Sequence, residues 1–192
     1  MIEHLPWIGG AYCPDRLMLW GFSHHMWSDE TDAASFTTST IEECALTDRA
    51  PFFRALKAAC GGSDPVAFWN GVAFANTLPN AVVDDYYSPG SREARQTVGS
   101  RVHRILECHQ PRKAILFSRK GWTLWPEFNG SYAETHPARV LATSPIERTE
   151  WGSYKTGAPW ETLAYNLPHP QYTRIDDLRA AVTAILAHKP CP

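Results

Sequence analysis

The sequence predicts an α/β protein in which a mostly parallel sheet lies between helices. Two observations carry that prediction. Short apolar runs at residues 16–21, 72–76, 113–118 and 162–167 have the length of strands buried on both faces. Amphipathic stretches of helical period separate them, and strands alternating with helices imply parallel crossovers. No repeat or change of composition divides the 192 residues, so residues 1–192 read as one domain with a sizeable core.

Taken in order, the run 16–21 ends on Gly21 and is followed by polar, irregular sequence. Thr40 is placed to cap a helix starting at Ile41, with Glu43 completing a capping box. Residues 51–60 put Phe52, Phe53, Leu56 and Ala59 on one helical face, and Gly61-Gly62 ends that helix. Asp64-Pro65 starts a short helix before the strand at 72–76. Residues 91–107 have helical spacing through Ala94, Val98, Val102, Ile105 and Leu106. After the strand at 113–118 comes a helix with Trp122 and Trp125. Residues 128–160, rich in Gly, Pro and Ser, read as a variable insertion with a strand at 139–143. The last core strand, 162–167, precedes a terminal helix at 176–188.

Composition narrows the function classes. Hydrophobic residues make up 44% and charged residues 20%, ordinary for a globular chain. No window offers the roughly 20 apolar residues of a membrane span. The start of the chain lacks the basic and apolar segments of a signal peptide, so a cytoplasmic protein with reduced thiols is expected. The cysteines at 13, 44, 60, 108 and 191 form no Cys-x-x-Cys pair, which argues against a zinc ribbon or an iron–sulfur site. Net charge is −2, but its distribution is uneven: six acids and no base lie between Asp29 and Asp48. Eight bases lie between Arg92 and Lys120, and they suit either a phosphate-tracking surface or a solvated helix face.

Ligands in open parallel sheets sit beyond the carboxyl ends of the strands. Two segments occupy such positions. Gly21-Phe22-Ser23-His24-His25, with Trp27 nearby, brings a hydroxyl and two imidazoles to a turn that glycine lets a ligand approach. Asn166-Leu167-Pro168-His169-Pro170 holds one imidazole between two conformationally restricted prolines. Asn76, ending an apolar strand, offers an amide suited to the polar edge of a nucleobase. Each has a structural alternative: a satisfied loop pair, a surface turn, a capping amide.

These segments, with Leu5-Pro6-Trp7-Ile8-Gly9, Ser35-Phe36-Thr37-Thr38, Pro51-Phe52-Phe53-Arg54 and Phe68-Trp69-Asn70, occur in an order that resembles a divergent branch of the uracil-DNA glycosylase-like superfamily. The resemblance covers most of the chain outside residues 128–160. It implies a three-layer αβα sandwich with about four parallel strands, and a nucleotide flipped out of DNA into the crevice. By the same resemblance, the turn at residues 21–25 holds the water-activating group, Phe36 stacks on the base, Asn76 reads its edge and His169 stabilises it as it departs. Gly21, Phe22, Ser23 and Trp27 complete the base site, and Asn166, Pro170, Arg119 and Lys120 are the expected DNA contacts. Phe22 stands where the branch carries an acid, which casts doubt on uracil as the substrate. His24 or His25 then positions water, with Asp29 and Glu30 as reserve carboxylates.

The leading expectation is therefore a monomeric, monofunctional DNA glycosylase without cofactor or metal. It would act on a uracil-like or modified pyrimidine, including hypermodified bases of phage DNA. The alternative is a nucleic-acid-binding module on the same fold that has lost catalysis. A metal-dependent hydrolase using His24, His25 and His169 is disfavoured, because no carboxylate stands at a ligand spacing.

Overall fold

The computed structural model describes residues 3–25, 33–82, 92–125 and 139–189, with residues 92–96 described by backbone alone. The described residues contain seven strands in one mixed sheet: β1 (Trp7–Ile8), β2 (Leu17–Gly21), β3 (Ala73–Asn76), β4 (Lys113–Leu116), β5 (Arg139–Val140), β6 (Glu150–Lys155) and β7 (Glu161–Asn166). Their order is β1-β3-β2-β4-β7-β6-β5. The inner strands β3, β2, β4 and β7 run parallel, whereas β1, β6 and β5 are antiparallel to their neighbours. A sheet of about four strands was expected, and the three antiparallel additions exceed it. Two come from the stretch 128–160 that reads as an insertion: β6 is the immediate neighbour of β7. Gly152 and Ser153 interrupt its apolar pattern, which is why the strand does not stand out in sequence.

The inner strands are buried on both faces, and alternate residues feed two cores. Leu19, Phe74, Ile115 and Tyr165 pack in one cluster with Phe53 and Leu56 of α2 (Pro51–Ala59) and Leu178 and Ile185 of α6 (Ile175–Ala187). Met18, Trp20, Ala75, Ala114 and Leu116 pack in the other with Val98, Val102 and Leu106 of α4 (Arg92–His109). Leu19 is completely buried. Truncating a side chain of this kind to Ala costs about 2–5 kcal/mol.

Local chemistry explains most helix ends. In α3 (Pro65–Asn70) the Asp64 carboxylate accepts the Ala67 amide at 2.7 Å, with Pro65 at the first helical position. Gly61 takes φ of +78° at the end of α2, as a helix-terminating glycine does. The expected capping box at Thr40 does not form. The preceding helix, α1 (Phe36–Thr40), already starts at Phe36, and the Thr40 hydroxyl donates to the Phe36 carbonyl at 2.7 Å. The chain then continues into a π-turn at Ile41–Ala45, where the Leu46 amide reaches the Ile41 carbonyl at 2.9 Å. Glu43 is thereby released from any capping role. The helix expected around Trp122 and Trp125 is the single turn α5 (Arg119–Trp122), capped by Ser118, which accepts the Gly121 amide at 2.9 Å.

Register brings the parallel strand ends together: Gly21 lies beside Asn76, and Leu116 beside both Trp20 and Asn166. The ladder extends past the sheet. Thr77 and Leu78 amides donate to the carbonyls of Gly21 and Phe22 at 3.0 and 2.9 Å, and the Val82 amide donates to His24 at 2.9 Å. The two loops leaving β2 and β3 are thus tied side by side, which fixes the mouth of the crevice. No helix among the described residues is long and apolar enough to cross a membrane.

Candidate active site

The crevice beyond β2, β3 and β7 opens into a cavity of about 510 Å³. Gly21, Phe22, Ser23, His24 and His25 line one part of it, joined by Phe36, Asn76, Lys120 and His169. Nine of the residues singled out in the sequence therefore share one pocket. Trp27, Asp29 and Glu30 lie outside the described residues.

The floor depends on a missing side chain. A Cβ on Gly21 would lie 2.3 Å from Oδ1 of Asn76 and 3.2 Å from the Phe74 ring. Only glycine leaves room for the amide to rest on the backbone of β2. Asn76 is 2% exposed, and its Nδ2 is buried without a hydrogen-bond partner among the described residues. A buried amide donor left unpaired costs about 1–3 kcal/mol, a deficit that a ligand acceptor would remove. From behind, the fully buried guanidinium of Arg101 donates to the carbonyls of Asn76 and His4 at 2.7 and 2.6 Å. Its Nε lies 3.3 Å from the Glu3 carboxylate. Burial lowers the Arg101 pKa to about 10, so it remains a cation at neutral pH.

The three histidines of the site differ in state. His24 is 7% exposed, and its Nε2 shares a hydrogen bond with Thr37 Oγ1 at 3.0 Å. Burial, reinforced by His4 and Arg101, pushes its pKa down to about 3, so the ring is neutral. His24 lies at 5.3 Å from Phe36, whose other neighbour is the buried His4, stacked at 5.1 Å and 8°. His25 is half-buried and pairs with Val82 in an isolated parallel bridge. His169 lies between the rings of Phe52 and Tyr172, at 5.2 and 5.0 Å. Its Nδ1 accepts the Gln171 amide at 3.3 Å, which leaves the proton on Nε2 in the neutral ring. Partial burial lowers its pKa below the ordinary value.

Other expected contacts have different positions. Asn166 is 4% exposed, and its Oδ1 accepts the Glu150 amide at 2.8 Å, so the side chain ties β7 to β6 instead of facing outward. Pro170 is buried and opens a 3₁₀ turn at Pro170–Tyr172. Arg119 is exposed outside the cavity, its guanidinium donating to the Glu147 carbonyl at 2.6 Å. Lys120 sits over the Phe22 ring, 5.7 Å from its centroid. Two members of the basic stretch are engaged internally, Arg101 as above and Lys113 on the carbonyls of Ile185 and His188, whereas Arg104 on Glu3 and Arg112 on Asp15 form pairs on the surface.

The sequence reading missed several participants. Glu43, assigned to a cap, lines the cavity together with Thr40 and Cys44. Thr37, inside a quoted segment, and His4, just before another, hold His24 and Phe36, but nothing in their local spacing marks them as partners. Ser118, read from the sequence only as the end of a strand, caps α5 and also reaches the pocket. Among the described residues no three His, Cys, Asp or Glu side chains stand together as a metal site.

The arrangement can hold a flat, polar-edged ring. Phe22, Phe36 and Phe52 supply aromatic faces, while Asn76 and His169 supply N–H donors. No protein-family model matches the chain, and no curated protein is similar to it.

Proposed function

We propose that the protein is a monofunctional DNA glycosylase, acting as a monomer on a uracil-like or modified pyrimidine, including bases of phage DNA. The observation that carries this reading is the meeting of Phe22, Asn76 and His169 in one cavity at the ends of parallel strands. The three-layer sandwich implied by the family resemblance belongs to the same proposal.

In this reading a nucleotide leaves the duplex and its base enters between the aromatic walls. The Asn76 Nδ2 group gains the acceptor it lacks by bonding a base carbonyl. The N-glycosidic bond breaks with its electron pair going to the base, while water adds to the sugar carbon C1′. The Nε2–H of His169 stabilises charge growing on the departing base, a form of preorganised electrostatic catalysis worth about 10²–10³ in rate per donor. His25 orients the water, since His24 is engaged with Thr37. The proton released by water ends on the base, and an abasic site remains.

Mass spectrometry of bases released from uracil-containing, mismatched and phage-modified DNA tests this. Release of one base class, slowed about 10²-fold in His169→Ala, is the expected result; no release from any of these DNAs overturns it. Phe22 in the usual place of an acid favours a second reading, a binding module without turnover. That reading predicts salt-sensitive DNA binding, with His169→Ala changing affinity alone.

A further inference from the structure

Two sets of polar groups in the cavity, which Ser23, His25, Ser118, Lys120 and Gln171 also line, differ in kind. Asn76 and His169, at the strand ends, present donors. The wall formed by α1 and its π-turn presents acceptors. Thr40 gives its proton to the Phe36 carbonyl, so only its lone pairs remain for a ligand. Glu43 contributes a carboxylate that makes no ion pair among the described residues. Residues three and four apart share a helical face, which is how Thr40, Glu43 and Cys44 reach the cavity together. π-turns inserted into helices are frequent at functional sites, where they re-aim side chains.

Volume points the same way. A cavity of about 510 Å³ falls in the range that encloses a drug-sized ligand, about 300–1,000 Å³. A bare pyrimidine ring leaves much of it unfilled. The donors at the strand ends suit the carbonyl oxygens of the ring, and the acceptor wall is then left for whatever the ring carries.

Resting on the glycosylase reading, we infer that Glu43 and Thr40 determine specificity for a pyrimidine bearing a hydrogen-bond-donating substituent, with a protonated amine preferred. Glu43 is exposed, and an ammonium group replaces the water at its carboxylate with a partner that binds by charge as well as by hydrogen bonding. A hydroxyl group engages the same wall without the charge. An alkyl group of equal size engages neither acceptor and leaves both without a partner.

The test measures binding apart from turnover. Oligonucleotides carry one 2′-fluoroarabino nucleotide, whose glycosidic bond resists cleavage, with uracil, 5-ethyluracil, 5-hydroxymethyluracil or 5-aminomethyluracil as its base. The expected order of affinity is aminomethyl, hydroxymethyl, ethyl, with aminomethyl at least tenfold above ethyl. Glu43→Gln should reduce that ratio to threefold or less, and Thr40→Val should selectively weaken hydroxymethyl. Melting temperatures verify that both variants fold. Equal affinity for aminomethyl and ethyl in the natural protein overturns the inference, as does a preference that survives Glu43→Gln, or no binding to any probe. Base release assayed in parallel on ordinary deoxynucleotides separates the two proposals. Substituent preference without release overturns the glycosylase reading alone; release without preference overturns this inference alone.

Discussion

The ends of β2 and β7 both deliver histidine to the crevice, but in opposite situations. His24, after β2, is 7% exposed, hydrogen-bonded to Thr37 and held far below its usual pKa by burial. His169, after β7, is half-buried, flanked by Phe52 and Tyr172, with only Nδ1 engaged, by the Gln171 amide. The first ring is a structural member of the pocket wall. The second faces the cavity with a donor to offer. A pair of adjacent histidines draws attention in a sequence, yet the lone imidazole between two prolines is more exposed than His24. Burial decides this, and it is not written in residue type.

Gly21 and Asn76 line the same cavity as both histidines. Gly21→Ala places a methyl where Asn76 Oδ1 now lies, and the amide must swing away because the other neighbour is the Phe74 ring. Base release is expected to fall by about 10³ or more, above the roughly 10²–10³ typical of losing one positioned donor, because the base also loses its seat. Circular dichroism should show the fold intact. A Gly21→Ala protein with normal turnover would remove Asn76 from the proposed site.

His169→Ala comes next. We expect kcat to drop by about 10² with KM changed by less than threefold, since the donor acts on charge that grows in the transition state. The melting temperature should barely move. His24→Ala should do the reverse at the level of the fold, costing about 2–4 kcal/mol through a cavity and an orphaned Thr37 hydroxyl. If the two variants exchanged these signatures, the roles assigned to the two strand ends would be exchanged as well.

Much of this contrast rests on what was and was not legible in the sequence. The inner strands were visible because Met18, Leu19 and Trp20, or Ala114, Ile115 and Leu116, must be apolar to be buried on both faces. Asp64-Pro65 announced α3 because capping chemistry is local. Thr40 and Glu43 misled for the same reason: their spacing fits a capping box, and only the earlier start of α1 cancels it. β1 and β6 were hidden because a two-residue strand has no period, and Gly152 breaks the other. At the cavity, residue types drew attention to Gly21, Asn76 and His169, which line it together. The burial of His24, the confinement of Asn166 by Glu150 and the exposure of Glu43 to the cavity all depend on partners distant in sequence or on helix register.

His24 titrates near pH 6.5 when unfolded and near 3 when folded. Between those values the unfolded chain binds the extra proton, so stability rises with pH there. The contribution is complete above about pH 6.5 and is lost as pH falls toward 3, at up to about 1.4 kcal/mol per pH unit. Denaturant titrations from pH 7 to 4 should show this slope, and His24→Gln should flatten it. His169→Gln should leave most of it in place; equal flattening by both would mean that the two rings are equally buried.

The smallest expected effect concerns Arg119 and Lys120, adjacent on α5 but differently placed. Arg119 already donates to the Glu147 carbonyl, whereas Lys120 lines the cavity above Phe22. If DNA approaches the cavity, Lys120→Ala should lower the slope of log K against log salt by about 0.9, the value for one phosphate contact on duplex DNA. Arg119→Ala should change affinity by less than about threefold and leave the slope unchanged, because a guanidinium on an internal carbonyl releases few counterions when DNA binds. Affinity measured at several salt concentrations for both variants decides it. Equal slopes for the two would mean that DNA crosses the outer face of α5 and does not enter from above the pocket, which would separate the nucleic-acid path from the base site.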